Sequence, residues 1–327
     1  MHSHATKPRI KPCALQPGDA VGIVAPASNI QRPLLEAGVE TLRQLGYTPV
    51  YQESIFDRDL YFAGTIERRA RELEEMFERD DVRAIVCARG GYGCNYLLRR
   101  LDLQKIFAYP KIFVGYSDVT TLLAYLADST GMVTFHGPMV TKDFALRGGV
   151  DLPSWQAALG GAAHWSLNLD RDSGVEPLVN GNAEGILYGG CLSMLVASLG
   201  TPHEIRTEGT ILFIEDIAAK PFQVDRMLMQ LKLSGRLSEV KGIIFGEMIS
   251  CAQSKDQDYT LQEVILRVVG DLGVPVAFGL RSGHVSQRNI TLPIGVRAAL
   301  KVSDRDVTLE ILESATTPAP VAMQTKS

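Results

Sequence analysis

The chain has no cysteine pair at C-x-x-C spacing, no H-E-x-x-H, no long run of like charge and no apolar stretch long enough to span a membrane. Each absence removes a class of function. The five cysteines, Cys13, Cys87, Cys94, Cys191 and Cys251, are odd in number and scattered, which indicates neither a zinc site nor a disulfide framework. They read mostly as small buried hydrophobes. A formal charge of −4 without a basic patch argues against a nucleic-acid or anionic-membrane partner. The start, MHSHATKPRIKPC, carries basic residues but no apolar h-region, and the later AVGIVAPAS is only strand-length. A cytosolic location is the expectation. What the chain does have is 327 residues, 46% of them apolar and 21% charged. That profile belongs to a folded protein of about two domains, whose core needs no metal or disulfide.

The first half alternates strand and helix. AVGIVAPA, RAIVCARGG, IFVG and MVTFHGP read as strands; PLLEAGVETLRQLG, TIERRARELEEMFERD and DVTTLLAYLADSTG read as helices. Such alternation indicates a parallel sheet covered on both faces. From residue 148 to 182 the pattern weakens into Gly, Asp and Asn and is expected to be an interdomain linker. Residues 183–313 then read as a smaller mixed β/α domain, closing with the short strands NITLPIG, RAALKV and VTLEIL. The first domain is 1–147. The tail, 314–327, is polar and aperiodic and is expected to be disordered. No internal repeat is present.

Chemistry concentrates at a few joints. In KIFVGYSDVTTLLAYL a strand meets a helix at Gly115-Tyr116-Ser117-Asp118. A serine there serves equally as a helix cap or as a nucleophile at the carboxyl end of a parallel strand, where ligands bind such sheets and a helix N-terminus offers N–H groups to an oxyanion. Val119 replaces the second glycine of G-x-S-x-G, which disfavours an ordinary α/β-hydrolase. A serine nucleophile needs a base. His2 and His4 lie near the start, and His164 and His203 carry no other signal. His136, ending MVTFHGP, and His284, in GLRSGHVSQRN, both qualify, and the residues alone do not separate them. Glu215 and Asp216 end the apolar strand TILFIEDI, where a carboxylate must be paired to be buried; a salt bridge or a histidine would serve. The glycine loop of CARGGYGCN fails the G-x-G-x-x-G spacing at Tyr96. It suits either a phosphate cradle or an oxyanion site, with Arg89 available to a carboxylate.

In this order, ARGGYG, FVGYSD, TFHGPM, GILYGGCLS, LFIEDI and SGH resemble the LD-carboxypeptidase family of serine peptidases, which includes muramoyltetrapeptide carboxypeptidases and microcin C self-immunity peptidases. The resemblance covers nearly the whole chain. It implies a flavodoxin-like N-terminal parallel-sheet domain, a smaller C-terminal β/α domain, an active site at their interface and a homodimer. By position it makes Ser117 the nucleophile, His284 the base and Glu215 the orienting acid, with the Gly91 and Asp118 N–H groups as oxyanion donors. Substrate contacts are expected from Arg89, Gly90, Tyr92, His136, Gly190 and Cys191. One position departs from the pattern: Cys191 stands where the family usually has asparagine.

The implied activity is release of terminal D-alanine from a peptidoglycan-derived tetrapeptide, with no cofactor and no metal. Two alternatives remain. One is an amidase for aminoacyl-nucleotide antibiotics, with Trp155, Trp165 or Tyr188 stacking a base. The other is a non-catalytic nucleotide- or sugar-phosphate-binding module. Because no Cys/His cluster has metal-ligand spacing, dialysis against a chelator should leave hydrolysis intact; activity lost to the chelator and restored by zinc would contradict a serine mechanism.

Overall fold

The computed structural model describes residues 9–169, 174–252 and 258–318. Strands β1 (Ala20–Val24), β2 (Thr48–Val50), β3 (Val82–Cys87), β4 (Ile112–Gly115) and β5 (Thr134–His136) alternate with helices α1 (Arg32–Gln44), α2 (Ile66–Glu78), α3 (Leu103–Ala108) and α4 (Thr120–Thr130). The strands pair in parallel in the order β2-β1-β3-β4-β5, which is the flavodoxin-like order. Local chemistry sets the helix ends. Thr65 caps α2 by accepting from Arg68 N at 3.2 Å, and Gly131 closes α4 in the left-handed region.

Next come α5 (Leu152–Leu159), β6 (Trp165–Leu169), β7 (Glu176–Val179), β8 (Gly181–Cys191), α6 (Leu192–Ala197), β9 (Thr210–Glu215), α7 (Pro221–Leu233), β10 (Gly242–Gly246), α8 (Leu261–Val269) and β11 (Val276–Leu280). The described chain closes with β12 (Leu292–Ile294), β13 (Arg297–Val302) and β14 (Val307–Ile311). The second sheet runs β6-β14-β13-β8-β9-β10-β11-β7. Its four central strands β8 to β11 are parallel, and the outer ones antiparallel. One buried cluster, including Phe135, Trp155, Leu187, Phe213 and Leu292, joins the two sheets.

Three expectations need correction. The stretch 148–182 is no plain linker: it holds α5 and both edge strands of the second sheet, β6 and β7. These were hard to see because β6 is five residues long and β7 contains Pro177, which only an edge strand tolerates. The tail is ordered at its start. Ala315 and Thr316 are buried, and Thr317 pairs with Cys13; residues 319–327 lie outside the described residues, as do His2 and His4. NITLPIG does not join the second sheet. As β12 it pairs antiparallel with β5, Leu292 opposite His136, so the chain returns to the first sheet and carries the preceding loop with it.

Close packing also explains Gly38. A Cβ there would overlap the Val140 carbonyl oxygen and stand 2.7 Å from Val140 Cγ1. Alanine gains about 1 kcal/mol in helix propensity, but a clash with backbone costs about 1–3 kcal/mol. Gly38→Ala should therefore lower the urea midpoint; an unchanged or raised midpoint would refute the packing.

Candidate active site

The carboxyl ends of β1, β3 and β4 converge where the strand order reverses, the position at which sheets of this kind bind ligands. A cavity of about 370 Å³ lies there, lined by Arg89, Gly90, Gly91, Ser117, Lys142 and His284 among others. Tyr116 is extended and buried. Ser117 then takes φ +62°, and one 3₁₀ turn, Ser117–Val119, runs into α4. A serine held in the left-handed region costs on the order of 1–3 kcal/mol and persists only where its surroundings enforce it. Gly115 permits the turn, since a Cβ there would come within 2.6 Å of Val119 Cγ1. The Ser117 hydroxyl has no hydrogen-bond partner among the described residues, and it caps no helix.

The glycine loop faces this hydroxyl. Gly91 has φ +107°, and its N–H engages no acceptor among the described residues. A Cβ on Gly90 would lie 3.0 Å from Ser117 Oγ and 3.3 Å from Asp118 N. Glycine thus leaves open a point within reach of both, as an attacked carbonyl requires. Two ties hold the loop. The Asp118 carboxylate, whose burial raises its pKa against the pull of Cys94, accepts from Cys94 N at 2.8 Å. Arg69, almost wholly buried, donates to Pro26 O at 2.7 Å and Gly93 O at 2.9 Å.

His284 enters from the β11–β12 loop. Its Nδ1 lies 2.7 Å from Glu215 Oε2, and its backbone N–H donates to the same oxygen at 3.1 Å. Nε2 is left for the cavity. No hydrogen bond joins His284 to Ser117 among the described residues; such bonds are often long until substrate binds. Gly283, at φ +93°, walls the carboxylate, because a Cβ would stand 2.6 Å from Glu215 Cδ. Asn289 clamps the same turn, accepting from Gly283 N at 3.0 Å and donating to Gly283 O at 3.1 Å. Glu215 has no solvent exposure. Burial alone would raise its pKa, but the imidazoles of His136 and His284 outweigh it and hold the carboxyl below the ordinary range. Its contribution to stability is therefore in full force at neutral pH and is lost only as pH falls through the depressed folded value. Asp216, also buried, takes the N–H groups of Ser193 and Ile217, both at 2.8 Å, and so caps α6.

Several expected substrate contacts sit elsewhere. His136 is fully buried: its Nδ1 meets Ser282 Oγ at 3.0 Å, and its Nε2 stands 3.8 Å from Glu215 Oε1, an ion-pair distance rather than a hydrogen bond. It lies behind the carboxylate, out of reach of a ligand. Gly190 and Cys191 do not line the cavity. They pack on Thr120, whose Oγ1 accepts from Cys191 N at 3.1 Å, and burial pushes the Cys191 thiol up. Tyr92 is exposed and clusters with Tyr61, Phe62 and Tyr96. Arg89 does line the cavity, with Nη1 on Asn29 O at 3.3 Å. Of the proposed stacking residues, Trp155 and Tyr188 are core side chains, and Trp165 lies on an edge strand. Arg69, Asn289 and Lys142 were missed. Only Arg69 left a signal, sharing the apolar stripe of α2 with Leu73 and Met76. Among the described residues no group of three or more His, Cys, Asp or Glu is placed to hold a metal, and no helix is long and apolar enough to cross a membrane.

Residues 21–137 match the LD-carboxypeptidase N-terminal domain and residues 184–300 the LD-carboxypeptidase C-terminal domain. The chain belongs to the LD-carboxypeptidase family of peptidases. It is 37% identical over 308 residues to the probable murein peptide carboxypeptidase of Bacillus subtilis, covering 92% of this chain and 94% of that one. The crystal structure of muramoyltetrapeptide carboxypeptidase from Oxalobacter formigenes superposes with a TM-score of 0.82 at 32% identity, over 91% of this chain and 100% of that one. MccF in complex with glutamyl sulfamoyl guanosine superposes with a TM-score of 0.85 at 28% identity, over 94% and 99%.

If Glu215 orients His284, Glu215→Gln should fold and lose about 10⁴-fold in kcat, as the equivalent change does in another triad. His284→Ala should be at least as damaging and His136→Ala less so. The reverse ranking of the two histidines would overturn the assignment of the base.

Proposed function

We propose that the protein is a serine carboxypeptidase that releases terminal D-alanine from peptidoglycan-derived tetrapeptides, cutting between an L-centre and the D-residue. The observation that carries this reading is the strained Ser117, whose hydroxyl has no hydrogen-bond partner among the described residues, sharing one cavity with a histidine bound to a buried carboxylate. Ser117 Oγ attacks the carbonyl carbon and its proton passes to His284 Nε2. The oxyanion takes the N–H groups of Gly91 and Asp118. His284 returns the proton to the departing D-alanine amine as the C–N bond breaks. Water, deprotonated by His284, then hydrolyses the ester to Ser117. Glu215 keeps the proton on Nδ1 and stabilises the imidazolium.

Murein-peptide names among the relatives, including the murein tetrapeptide carboxypeptidase of Pseudomonas aeruginosa at 31% identity, support the substrate class. The likeness to MccF keeps an aminoacyl-nucleotide substrate as the rival. Among the described residues, however, the cavity holds no tryptophan and only Tyr116 as an aromatic besides His284. A cytosolic location and a homodimer belong to the same proposal, and light scattering tests the latter.

The wild-type protein incubated with tetrapeptide should release D-alanine, with little release from the terminal L-alanine epimer. Ser117→Ala should abolish turnover while its stability stays within about 1 kcal/mol, since the hydroxyl has no partner to lose among the described residues. Equal rates on both epimers, or preferential cleavage of an aminoacyl-adenylate analogue, would remove this reading.

A further inference from the structure

The cavity contains a second cation besides Arg89. Lys142 lies on a π-helical turn, Val140–Phe144, an irregularity that recurs at functional sites. The turn is anchored beside the glycine loop: Thr141 N and Oγ1 both donate to Ala88 O, at 2.9 and 2.8 Å, and Ala88 precedes Arg89. Asp143 Oδ2 accepts from Met139 N at 2.8 Å and braces the turn from within. Lys142 Nζ sits 5.4 Å from the ring centroid of Tyr116, within cation–π range, and Tyr116 precedes Ser117. Among the described residues neither Lys142 nor Arg89 has a carboxylate within 4 Å, and Lys142 makes no hydrogen bond. Glu215 is turned to its histidines. The half-buried lysine that shares the cavity with the hydroxyl therefore makes no ion pair among the described residues; the adjacent Asp143 carboxylate feels its charge but is turned to Met139 N.

In a carboxypeptidase substrate the terminal carboxylate carbon is three bonds from the attacked carbonyl carbon, so whatever binds it must lie beside the nucleophile. Resting on the function proposed above, we propose that Lys142 binds the terminal carboxylate of the substrate and so restricts the enzyme to chain ends. Arg89, exposed and tied to Asn29, is the secondary cation. A point charge held against Tyr116 fixes the terminal carboxylate and two N–H groups fix the attacked carbonyl, so the leaving residue is held between them, which leaves its methyl group to report chirality.

The test compares wild type and Lys142→Gln on three peptides: the tetrapeptide acid, its terminal amide, and the acid with L-lysine replacing diaminopimelate, which deletes the side-chain carboxylate. The variant should lose about 10- to 100-fold in kcat/KM on both acids and at most about twofold on the amide. Equal loss on acid and amide overturns the inference, as does a loss that disappears with the lysine peptide. Calorimetry of the acid and the amide with Ser117→Ala and Ser117→Ala/Lys142→Gln separates the two readings. Lys142-dependent binding of the acid, without D-alanine release by wild type, would sink the hydrolytic function and leave this assignment standing. Binding that ignores Lys142 would sink the assignment alone; neither binding nor turnover would sink both.

Discussion

A carboxylate with no exposure to solvent cannot remain charged alone, and the structure is arranged around meeting that condition for Glu215. Desolvating a carboxylate costs several kcal/mol unless partners replace the water. The partners come from different parts of the chain. His136 stands at the end of β5 in the first sheet, while His284 and its backbone N–H come from the β11–β12 loop. That loop reaches Glu215 because β12 returns to pair with β5. The pairing that brings β12 back to the first sheet and the contacts that compensate the carboxylate thus depend on one another. A loss of either would leave charge buried without compensation.

A second set of ties acts on the other side of the cavity. Asp118 belongs to the nucleophile turn and binds Cys94 N, while Arg69, from α2, binds the loops after β1 and β3 through Pro26 O and Gly93 O. The residue beside Ser117 therefore also anchors the loop that carries Gly91. Backbone donors become useful oxyanion ligands only when they need not reorganise as charge develops, and a buried guanidinium with two carbonyl acceptors supplies that rigidity. Arg68 and Glu72, one turn apart on the same helix, add a buried ion pair at 2.8 Å.

Much of the fold was legible because its elements satisfy local rules. β1, β3 and β4 are short apolar runs bounded by glycine or polar residues, and α2 combines a threonine cap with an apolar stripe. Edge strands were not legible, since five residues such as WSLNL acquire their meaning from the neighbour they pair with. Within the site, Ser117, Glu215 and the glycine loop announced themselves by position: a polar residue at the end of a buried strand must meet a helix N-terminus, a ligand or a paired side chain. Asn289 and Lys142 gave no such signal. An asparagine clamping the backbone of a glycine six residues away, or a lysine on a π-helical turn, looks like any surface polar residue until the backbone is placed.

Residue order and periodicity by themselves determined an α/β chain with a parallel first sheet, a serine at a strand-to-helix joint and an acid at the end of a buried strand, because these are consequences of side-chain patterning along one element. Whether His136 or His284 orients toward the nucleophile was undecided on the residues alone, and the family resemblance favoured His284. Tertiary structure decided their geometry: both imidazoles reach Glu215, one on each carboxylate oxygen, yet only His284 lines the cavity with Ser117, while His136 is sealed behind the acid. That distinction arises from the return of β12 to the first sheet, a contact between residues more than 150 positions apart, and no local pattern encodes which side of a carboxylate faces solvent.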